Sequence, residues 1–464
     1  MKNILKVSGI CLFVLMFVFA ITTCSDPGGG TGTQSGEEFV NYPPTGFDPA
    51  VWNTTENAIA DELSPRCWIW EIAAGKGHFV AVGGIRVTIP TATELTLVEN
   101  WLVKRSVDGM RWTDVKGPFD REVRTVVYGA GTNGVGTFVA ADVGDFESGY
   151  NTPDRPRPGS SGEVSRRSSI FYSRDDGATW TRSTFKDGTP MYAQEGLWSI
   201  LSLVHGKDGT PYGTWLALAQ YGSVAKSTDG GVTWEKIVDG EGRGIGLSRT
   251  LVSNRELEAA YIDLDDPNLD PNTIYPAFRT GVYVPKLETW YIAGDFGVFA
   301  SSADLVDWDV TRSAYENESW LYTPYNTDGT FSTSYFMTKI ICIEEDGILA
   351  LHAVGSNPSQ YVILNNPSTN NKWEKGDSNV LSNFQTNDAS CILAANDSIV
   401  IVGSGGRAAY RSVQGGSYYR RWQMSSTIVS GQAWIRGLAY AGGVWVAGVR
   451  GGLIAFADVR FGDE

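Results

Sequence analysis

Two stretches of the sequence decide the fold: Ser173-Arg174-Asp175-Asp176-Gly177-Ala178-Thr179-Trp180 and Ser227-Thr228-Asp229-Gly230-Gly231-Val232-Thr233-Trp234. Both follow the pattern Ser-x-Asp-x-Gly-x-Thr-Trp. A short aspartate carboxylate can accept hydrogen bonds from the backbone of a tight turn, a glycine takes a positive φ there, and a tryptophan packs as a large apolar plug. We therefore predict that both stretches are structural turns.

Shorter copies of the pattern flank these two. Ser106-Val107-Asp108-Gly109-Met110-Arg111-Trp112 and Ser302-Ala303-Asp304-Leu305-Val306-Asp307-Trp308 keep the serine, aspartate and tryptophan, while Trp373 and Trp422 keep the tryptophan alone. The pattern resembles the Asp-box, or BNR repeat, of sialidase-like β-propellers. The resemblance implies repeated four-stranded blades whose structural box residues are Ser106, Asp108, Trp112, Ser173, Asp175, Gly177, Trp180, Ser227, Asp229, Gly231, Trp234, Ser302, Asp304 and Trp308.

A second phrase, made of two apolar strands joined by a short turn, recurs upstream of the boxes. It is clearest at 124–142, 279–295 and 436–452, and weaker copies begin at Glu71, Ser199, Lys339 and Ser390. Near-continuous apolar runs are typical of strands that are covered on both faces. These seven inner strands predict an all-β fold: a single seven-bladed β-propeller of four-stranded antiparallel blades.

The two chain ends are predicted to complete one blade together. The chain stops before the seventh blade can have an outer strand, and Phe47-Asp48-Pro49-Ala50-Val51-Trp52 carries a tryptophan with no blade before it. We expect this N-terminal segment to supply the missing outer strand, which removes an open sheet edge. Residues 47–464 would then form one propeller domain.

The N-terminus predicts export. Lys2 and Lys6 precede an apolar run over 10–21 that is too short to span a bilayer but suits an export signal. Ile21-Thr22-Thr23-Cys24-Ser25 resembles the lipobox of bacterial lipoproteins, although Thr23 departs from that family's Gly, Ala or Ser. We predict a signal peptide over 1–23, lipidation of Cys24 and a flexible tether over 24–46. The predicted location is the bacterial cell envelope, as a membrane lipoprotein facing the periplasm or the surface; the alternative is an ordinary secretory signal.

Charge and composition exclude several functions. The 37 basic and 52 acidic side chains give a net charge of −15, which argues against a nucleic-acid partner. There is no Cys-x-x-Cys pair and the only histidines are His78, His205 and His352, so no zinc site is predicted. The acidic stretch 263–270 offers oxygen ligands for calcium but lacks the EF-hand pattern, and a solvated turn is preferred. No metal or cofactor is predicted.

One face of the predicted propeller carries the long loops, at 84–102, 143–169, 235–277 and 309–337, and is the candidate binding face. Neutral drift in loop length is the alternative. At the start of the seven inner strands the aligned position reads Glu71, Arg124, Ser199, Arg279, Lys339, Ser390 and Arg436. The cations Arg124, Arg279, Lys339 and Arg436 predict a ring that binds a carboxylate or another anion. Alternatively these charges cap strand ends, or pair with acids such as Asp142 and Asp295.

A second candidate feature is an aromatic loop. Tyr315, Trp320, Tyr322 and Tyr325 could form a stacking platform for a sugar or a protein partner, or could anchor the loop to the blades beneath.

From these features we predict that the protein is a non-catalytic, monomeric binding or assembly module of the cell envelope. Its ligand would be a protein or a glycan. Catalytic sialidases hold a carboxylate with three arginines, which Arg124, Arg279 and Arg436 resemble. However, no Arg-Ile-Pro motif precedes the first box, no nucleophile pair is identifiable, and sialidase propellers have six blades, so no catalytic residue is assigned. The alternative is a sialidase-like glycoside hydrolase using loop acids such as Glu99, Asp142, Asp145, Glu147 and Asp295. The combination of boxes, lipoprotein signal and positive patch is also similar to photosystem assembly-factor propellers.

Overall fold

The computed structural model describes most of the chain after the first strand. The described residues are 53–54, 67–90, 95–144, 167–193, 196–197, 199–237, 277–294, 299–310, 336–356, 360–369, 373–377, 384, 389–395, 397–413, 422–424, 434–449 and 454–458.

These residues form seven sheets, named in chain order. Sheets 1 to 3 contain β2 (Cys67–Gly75), β3 (His78–Pro90), β4 (Leu95–Ser106) and β5 (Thr113–Asp114); β6 (Val123–Ala130), β7 (Gly136–Asp142), β8 (Ile170–Ser173) and β9 (Thr181–Arg182); and β11 (Ile200–Gly206), β12 (Thr214–Ala219), β13 (Val224–Ser227) and β14 (Thr233–Lys236), with β10 (Thr184–Phe185) added parallel to β14.

Sheets 4 to 7 repeat the same order. They contain β15 (Phe278–Val284), β16 (Thr289–Gly294), β17 (Phe299–Ser302) and β18 (Asp309–Val310); β19 (Phe336–Glu345), β20 (Ile348–Ser356), β21 (Gln360–Asn365) and β22 (Glu374–Lys375); β23 (Ala389–Ala395), β24 (Ser398–Gly403), β25 (Ala408–Ser412) and β26 (Gln423–Met424); and β27 (Ile435–Ala441), β28 (Val444–Val449), β29 (Ile454–Asp458) and β1 (Asn53–Thr54). One-turn 3-10 helices occur at Gln220–Gly222, Pro285–Leu287 and Ser404–Gly406.

The inner hairpins form because apolar strands are joined by residues that tolerate positive φ. Strand β12 is buried along its whole length. The turns between β19 and β20 and between β27 and β28 each consist of two residues at positive φ, Asp346-Gly347 and Gly442-Gly443. Turns of this kind match the twist of the strands they join, so each hairpin is defined locally.

The sheets pack face to face in chain order. Among the described residues, apolar clusters lie between every two consecutive sheets, and one further cluster joins sheet 7 to sheet 1. In that last cluster, Val444 and Val446 pack with Ile69 and Ile72. Each inner strand also contacts the next one, and β27 contacts β2. Such a repeated arrangement of small antiparallel sheets is a β-propeller, so the chain is a repeat protein.

Sheet 7 combines the two ends of the described chain. Strand β1 pairs antiparallel with β29, with Asn53 opposite Phe456 and Thr54 opposite Ala455. The predicted outer strand at 47–52 lies outside the described residues; the pairing that the structure shows begins at the next residue.

Several other predictions also fall outside the described residues: the signal peptide at 1–23, Cys24, the tether at 24–46 and the acidic stretch at 263–270. No helix in the described part of the chain is long and apolar enough to cross a bilayer. Within it, Cys67, Cys342 and Cys391 are buried.

The aspartates of the four Ser-x-Asp turns are bonded to their own turns. In sheet 3, the hydroxyls of Ser227 and Thr233 donate to the Asp229 carboxylate over 2.8 and 2.6 Å, and two backbone N–H groups add to them. Burial alone would raise the pKa of Asp229, but the hydrogen bonds outweigh it and lower that pKa. The indole N–H of Trp234 donates to the Gly231 carbonyl over 2.9 Å. These carboxylates stabilise turns.

The turn glycines also join neighbouring sheets. Gly231 has a φ of +81°, and a Cβ placed there would lie 2.6 Å from Val139 of sheet 2. A Cβ on Gly109 of sheet 1 would lie 2.7 Å from Val446 of sheet 7. Each of these glycines therefore allows its turn to rest directly on the second strand of the preceding sheet.

Replacing Asp229 by alanine is expected to lower the free energy of unfolding by about 2–3 kcal/mol, because several donors in a partly buried turn lose their acceptor. The measurement is urea unfolding followed by tryptophan fluorescence. Asp307→Ala is the control, because Asp307 is exposed on the equivalent turn of sheet 4. Equal stability of the two variants would contradict the structural role.

Candidate binding site

A β-bulge occurs at the same place in every inner strand. In each strand the register with its partner shifts across one residue near the strand's start. The bulged residues are Trp70, Arg124, Leu201, Arg279, Thr338, Ser390 and Arg436. All seven side chains are half-buried. Because a bulge re-aims a side chain, this repeated irregularity places one residue from each sheet in an equivalent position.

The bulges correct the predicted ring. Arg124, Arg279, Ser390 and Arg436 occupy the bulged position as aligned, but Glu71 and Lys339 come one residue after it. Ser199 precedes β11, two residues before its bulge. An alignment by apolar pattern alone misplaces these residues because the extra residue breaks the alternation of the strand.

Trp70 brings two of the predicted cations together. The guanidinium carbon of Arg124, from sheet 2, lies 4.8 Å from the Trp70 ring centroid, and that of Arg436, from sheet 7, lies 4.6 Å from it. Arg436 also lies 5.0 Å from the ring of Trp434. Both distances to Trp70 are within the range of a cation–π interaction. The ring electrons of one indole therefore stabilise two like charges from its two neighbouring sheets.

Two further side chains hold this indole. The Trp70 N–H donates to the carboxylate of Glu122, which is only 3% exposed. Trp68 stacks on Trp70 with ring centroids 6.4 Å apart. We call Trp68, Trp70, Glu122, Arg124, Trp434 and Arg436 the Trp70 cluster. The sequence analysis found only its arginines.

Lys339 has a different role from the other predicted cations. Its side chain is buried, and its ammonium nitrogen lies 2.7 Å from a carboxylate oxygen of Glu71. Burial alone would lower the pKa of Lys339, but the Glu71 carboxylate outweighs it and raises that pKa. Sheets 1 and 5 are not consecutive, so this ion pair joins two inner strands that are not neighbours. Lys339 is therefore paired, and we do not include it in the binding cluster.

In sheets 1, 4 and 7, the residue after the bulge contacts the inner strand of the next sheet. The N–H of Val126 donates to Glu71 over 3.2 Å, and that of Ile340 donates to the Thr280 hydroxyl over 3.0 Å. A Cβ on Gly437, at the same position in sheet 7, would lie 2.8 Å from the Ile72 nitrogen of sheet 1. Polar side chains here satisfy N–H groups that face away from their own sheet.

The remaining predicted site residues are dispersed. Arg279 occupies the bulge of sheet 4, which is not adjacent to sheet 1. The proposed aromatic platform of Tyr315, Trp320, Tyr322 and Tyr325 lies outside the described residues, as do Asp145, Glu147 and Asp295. The structure therefore brings Arg124 and Arg436 to one aromatic ring and places Arg279 elsewhere.

Asp142 closes the base of the loop at 143–169. One of its carboxylate oxygens accepts the N–H groups of Ser169 and Gly144 over 2.7 and 3.1 Å, and the residue is 1% exposed. Burial raises the pKa of Asp142 to about 6, and the two N–H groups offset this only in part. A carboxylate so enclosed caps a loop and is not available to a substrate.

Asp142→Asn is expected to gain stability relative to the wild type as the pH rises from about 4 to about 6. The folded wild type has the higher pKa, so it binds more protons than the unfolded chain in that range and loses stability as they dissociate. The gain should reach up to about 3 kcal/mol, because an asparagine oxygen can accept the same two bonds without a charge. Urea unfolding at pH 4 and pH 7.5 measures it, with Asp307→Asn as control. A gain that is the same at both pH values would be inconsistent with this account.

Among the described residues, no group of three or more His, Cys, Asp or Glu side chains could hold a metal ion. Fold and site together describe a β-propeller with a cluster of tryptophans and arginines where the inner strands begin.

No protein-family model matches this chain, and no curated protein matches it. Among solved structures, it is similar to "YCF48 bound to D1 peptide" (12% identity, 92% of this chain and 98% of that chain, TM-score 0.47). It is also similar to YCF48 from Cyanidioschyzon merolae (12% identity, 88% and 98%, TM-score 0.45) and to the Cps50 (Swd1) β-propeller domain of Myceliophteria thermophila (9% identity, 88% and 100%, TM-score 0.43). Likenesses this distant transfer no residue role, so the BNR resemblance stays a prediction.

Proposed function

We propose that this chain is a closed seven-bladed β-propeller that binds an acidic segment of a protein partner through the Trp70 cluster, without catalysis. The pairing of β1 with β29 and the apolar contact of sheet 7 with sheet 1 support closure. The predicted lipidation of Cys24 and the tether would hold this propeller at a membrane of the cell envelope, as a monomer.

The observation that carries the proposal is the contact of Arg124 and Arg436 with a single tryptophan. Tryptophan and arginine are the residues most enriched where a few side chains supply most of the binding energy of an interface. Arginine also matches the geometry of a carboxylate, which it can bind through two parallel hydrogen bonds. In a chain with a net charge of −15, a cluster that holds two arginines against one glutamate, Glu122, is a local exception that favours an acidic ligand.

The hydrolase alternative receives no such support. Asp142, which the sequence offered as a catalytic acid, is buried and accepts two backbone N–H groups. A glycan ligand remains an outcome of the binding test, since stacked tryptophans also suit sugar rings.

The test uses the purified chain and a fluorescein-labelled octapeptide of glutamate, with a glutamine octapeptide as the neutral probe. The wild type should bind the acidic peptide, more weakly at high salt, and Arg124→Ala/Arg436→Ala should weaken binding at least about tenfold per arginine. Arg174→Ala is the matched control, because Arg174 lies 5.1 Å from the ring of Tyr212 beside the Ser-x-Asp turns.

Equal affinity of the double variant and the wild type would refute the proposal. So would an equal loss in Arg174→Ala. Binding of a sialylated glycan but of neither peptide would identify a glycan ligand instead.

A further inference from the structure

The ion pair between Lys339 and Glu71 lies next to the Trp70 cluster along the chain. Glu71 follows Trp70, and Thr125 follows Arg124. Arg124 contacts Trp70, while the Thr125 hydroxyl donates to Glu71 over 2.5 Å. Two consecutive residues of sheet 1, Trp70 and Glu71, therefore contact two consecutive residues of sheet 2. The arginine–indole contact and the contact of the hydroxyl with the carboxylate are neighbours along both strands.

Both oxygens of Glu71 are engaged. One accepts from Lys339 over 2.7 Å, and the other accepts from the Thr125 hydroxyl and the Val126 N–H. This fixes the orientation of residue 71, and a peptide bond links it to the bulged Trp70. Any movement of Glu71 would therefore be transmitted to the indole that both arginines contact.

Lys339 also decides the net charge at Glu71, the residue that follows Trp70. With Lys339 present, the pair of Glu71 and Lys339 adds no net charge. Without it, a carboxylate in a largely buried position would stand next to the cluster uncompensated, and charges interact strongly where water is excluded. The negative charge would repel an acidic ligand and would attract the arginines that should bind it.

We propose that Lys339 is a positioning residue of the binding site: by pairing with Glu71 from the opposite side of the ring of inner strands, it orients the Trp70 bulge and neutralises the carboxylate that follows Trp70 in the chain. This inference rests on the proposed function, because it assumes that the cluster binds an acidic segment.

The two members of the pair give opposite expectations, which a structural role would not. Lys339→Met should weaken binding of the glutamate octapeptide about tenfold at low salt, because Glu71 is left charged. Glu71→Gln should tighten it about threefold, because Lys339 is left charged. The double variant Glu71→Gln/Lys339→Met should return to within about twofold of the wild type. Glu345→Gln is the matched control, since Glu345 pairs with Arg411 of sheet 6 and not with any residue of the cluster described above.

A second readout does not depend on the ligand. In protein labelled with 5-fluorotryptophan, the resonance that disappears in Trp70→Phe reports on Trp70. The chemical shift of this resonance should change in Lys339→Met and should return to its wild-type value in the double variant Glu71→Gln/Lys339→Met.

Loss of affinity in both single variants, or unchanged affinity in Lys339→Met, would overturn the inference. If the wild type binds no acidic peptide, the proposed function fails, and an unmoved Trp70 resonance in Lys339→Met would then refute the positioning role separately. Should Lys339→Met not fold, Glu71→Gln alone still decides by the sign of its effect.

Discussion

Gly437→Val is expected to lower the free energy of unfolding by more than about 3 kcal/mol, or to prevent folding. A Cβ at Gly437 would lie 2.8 Å from the Ile72 nitrogen and 2.9 Å from the Glu71 Cα, both backbone atoms of sheet 1. A side-chain clash can be relieved by a change of rotamer, but this one requires two sheets to separate. Because the first and last sheets are in direct contact here, we expect this substitution to lower the free energy of unfolding more than a side-chain clash would. Urea unfolding followed by far-UV circular dichroism measures it.

Two further variants separate this contact from a general effect of glycine. Gly437→Ala should be milder than valine yet still costly, and it keeps the test informative if the valine variant does not fold. Gly347→Ala is the control, because Gly347 has a φ of +79° with open space around it, so only the backbone conformation is penalised, by about 1 kcal/mol. If Gly437→Val lowers the free energy of unfolding no more than this control does, sheets 7 and 1 do not pack as described.

The turns were predictable from sequence because their chemistry is local. In Asp175 and Asp229 the carboxylate, its hydroxyl partners and its backbone donors all lie within four residues, so one short pattern contains the whole network. Apolar hairpins were predictable for the same reason. The sheets of the described chain follow the phrases identified in the sequence, including the weak ones that begin near Ser199 and Ser390.

The candidate site was only half predictable because it depends on bulges and on contacts between distant segments. Arg124 and Arg436 could be identified by their position, but nothing local shows that both reach Trp70, which belongs to a third sheet. A signal was nevertheless present. Each inner strand has two consecutive positions between core residues, as in Ile69-Trp70-Glu71-Ile72 and Val123-Arg124-Thr125-Val126. A strictly alternating strand has a single residue between two core residues, so two consecutive residues between them mark the bulge.

Lys339 shows why charge counting alone misassigns a site. As a sequence feature it is a fourth cation of a ring, yet in the structure its charge is balanced by Glu71, which lies 268 positions away along the chain. Whether a cation is available to a ligand depends on a partner that no local pattern reveals. Arg124 and Arg436 could likewise not be assigned to one ring by charge, because the feature that joins them is their common contact with Trp70.

Trp234→Ala is expected to lower the free energy of unfolding by about 3–5 kcal/mol, because Trp234 is fully buried between sheets and its truncation leaves a large cavity. Trp234→Phe should cost about 1–2 kcal/mol, since it leaves the Gly231 carbonyl without its donor. The equivalent Trp308 of sheet 4 is the matched comparison. It is only half-buried, and its buried indole nitrogen has no hydrogen-bond partner among the described residues.

Trp308→Phe should therefore change stability by less than about 0.5 kcal/mol or raise it, because the substitution removes a buried donor that has no acceptor. In the fourth turn Leu305, with a φ of +64°, occupies the position that glycine has in the other three. Urea unfolding of all three variants measures these costs. If Trp234→Phe and Trp308→Phe cost the same, the tryptophan-to-glycine hydrogen bond would not be what distinguishes the other three turns from the fourth.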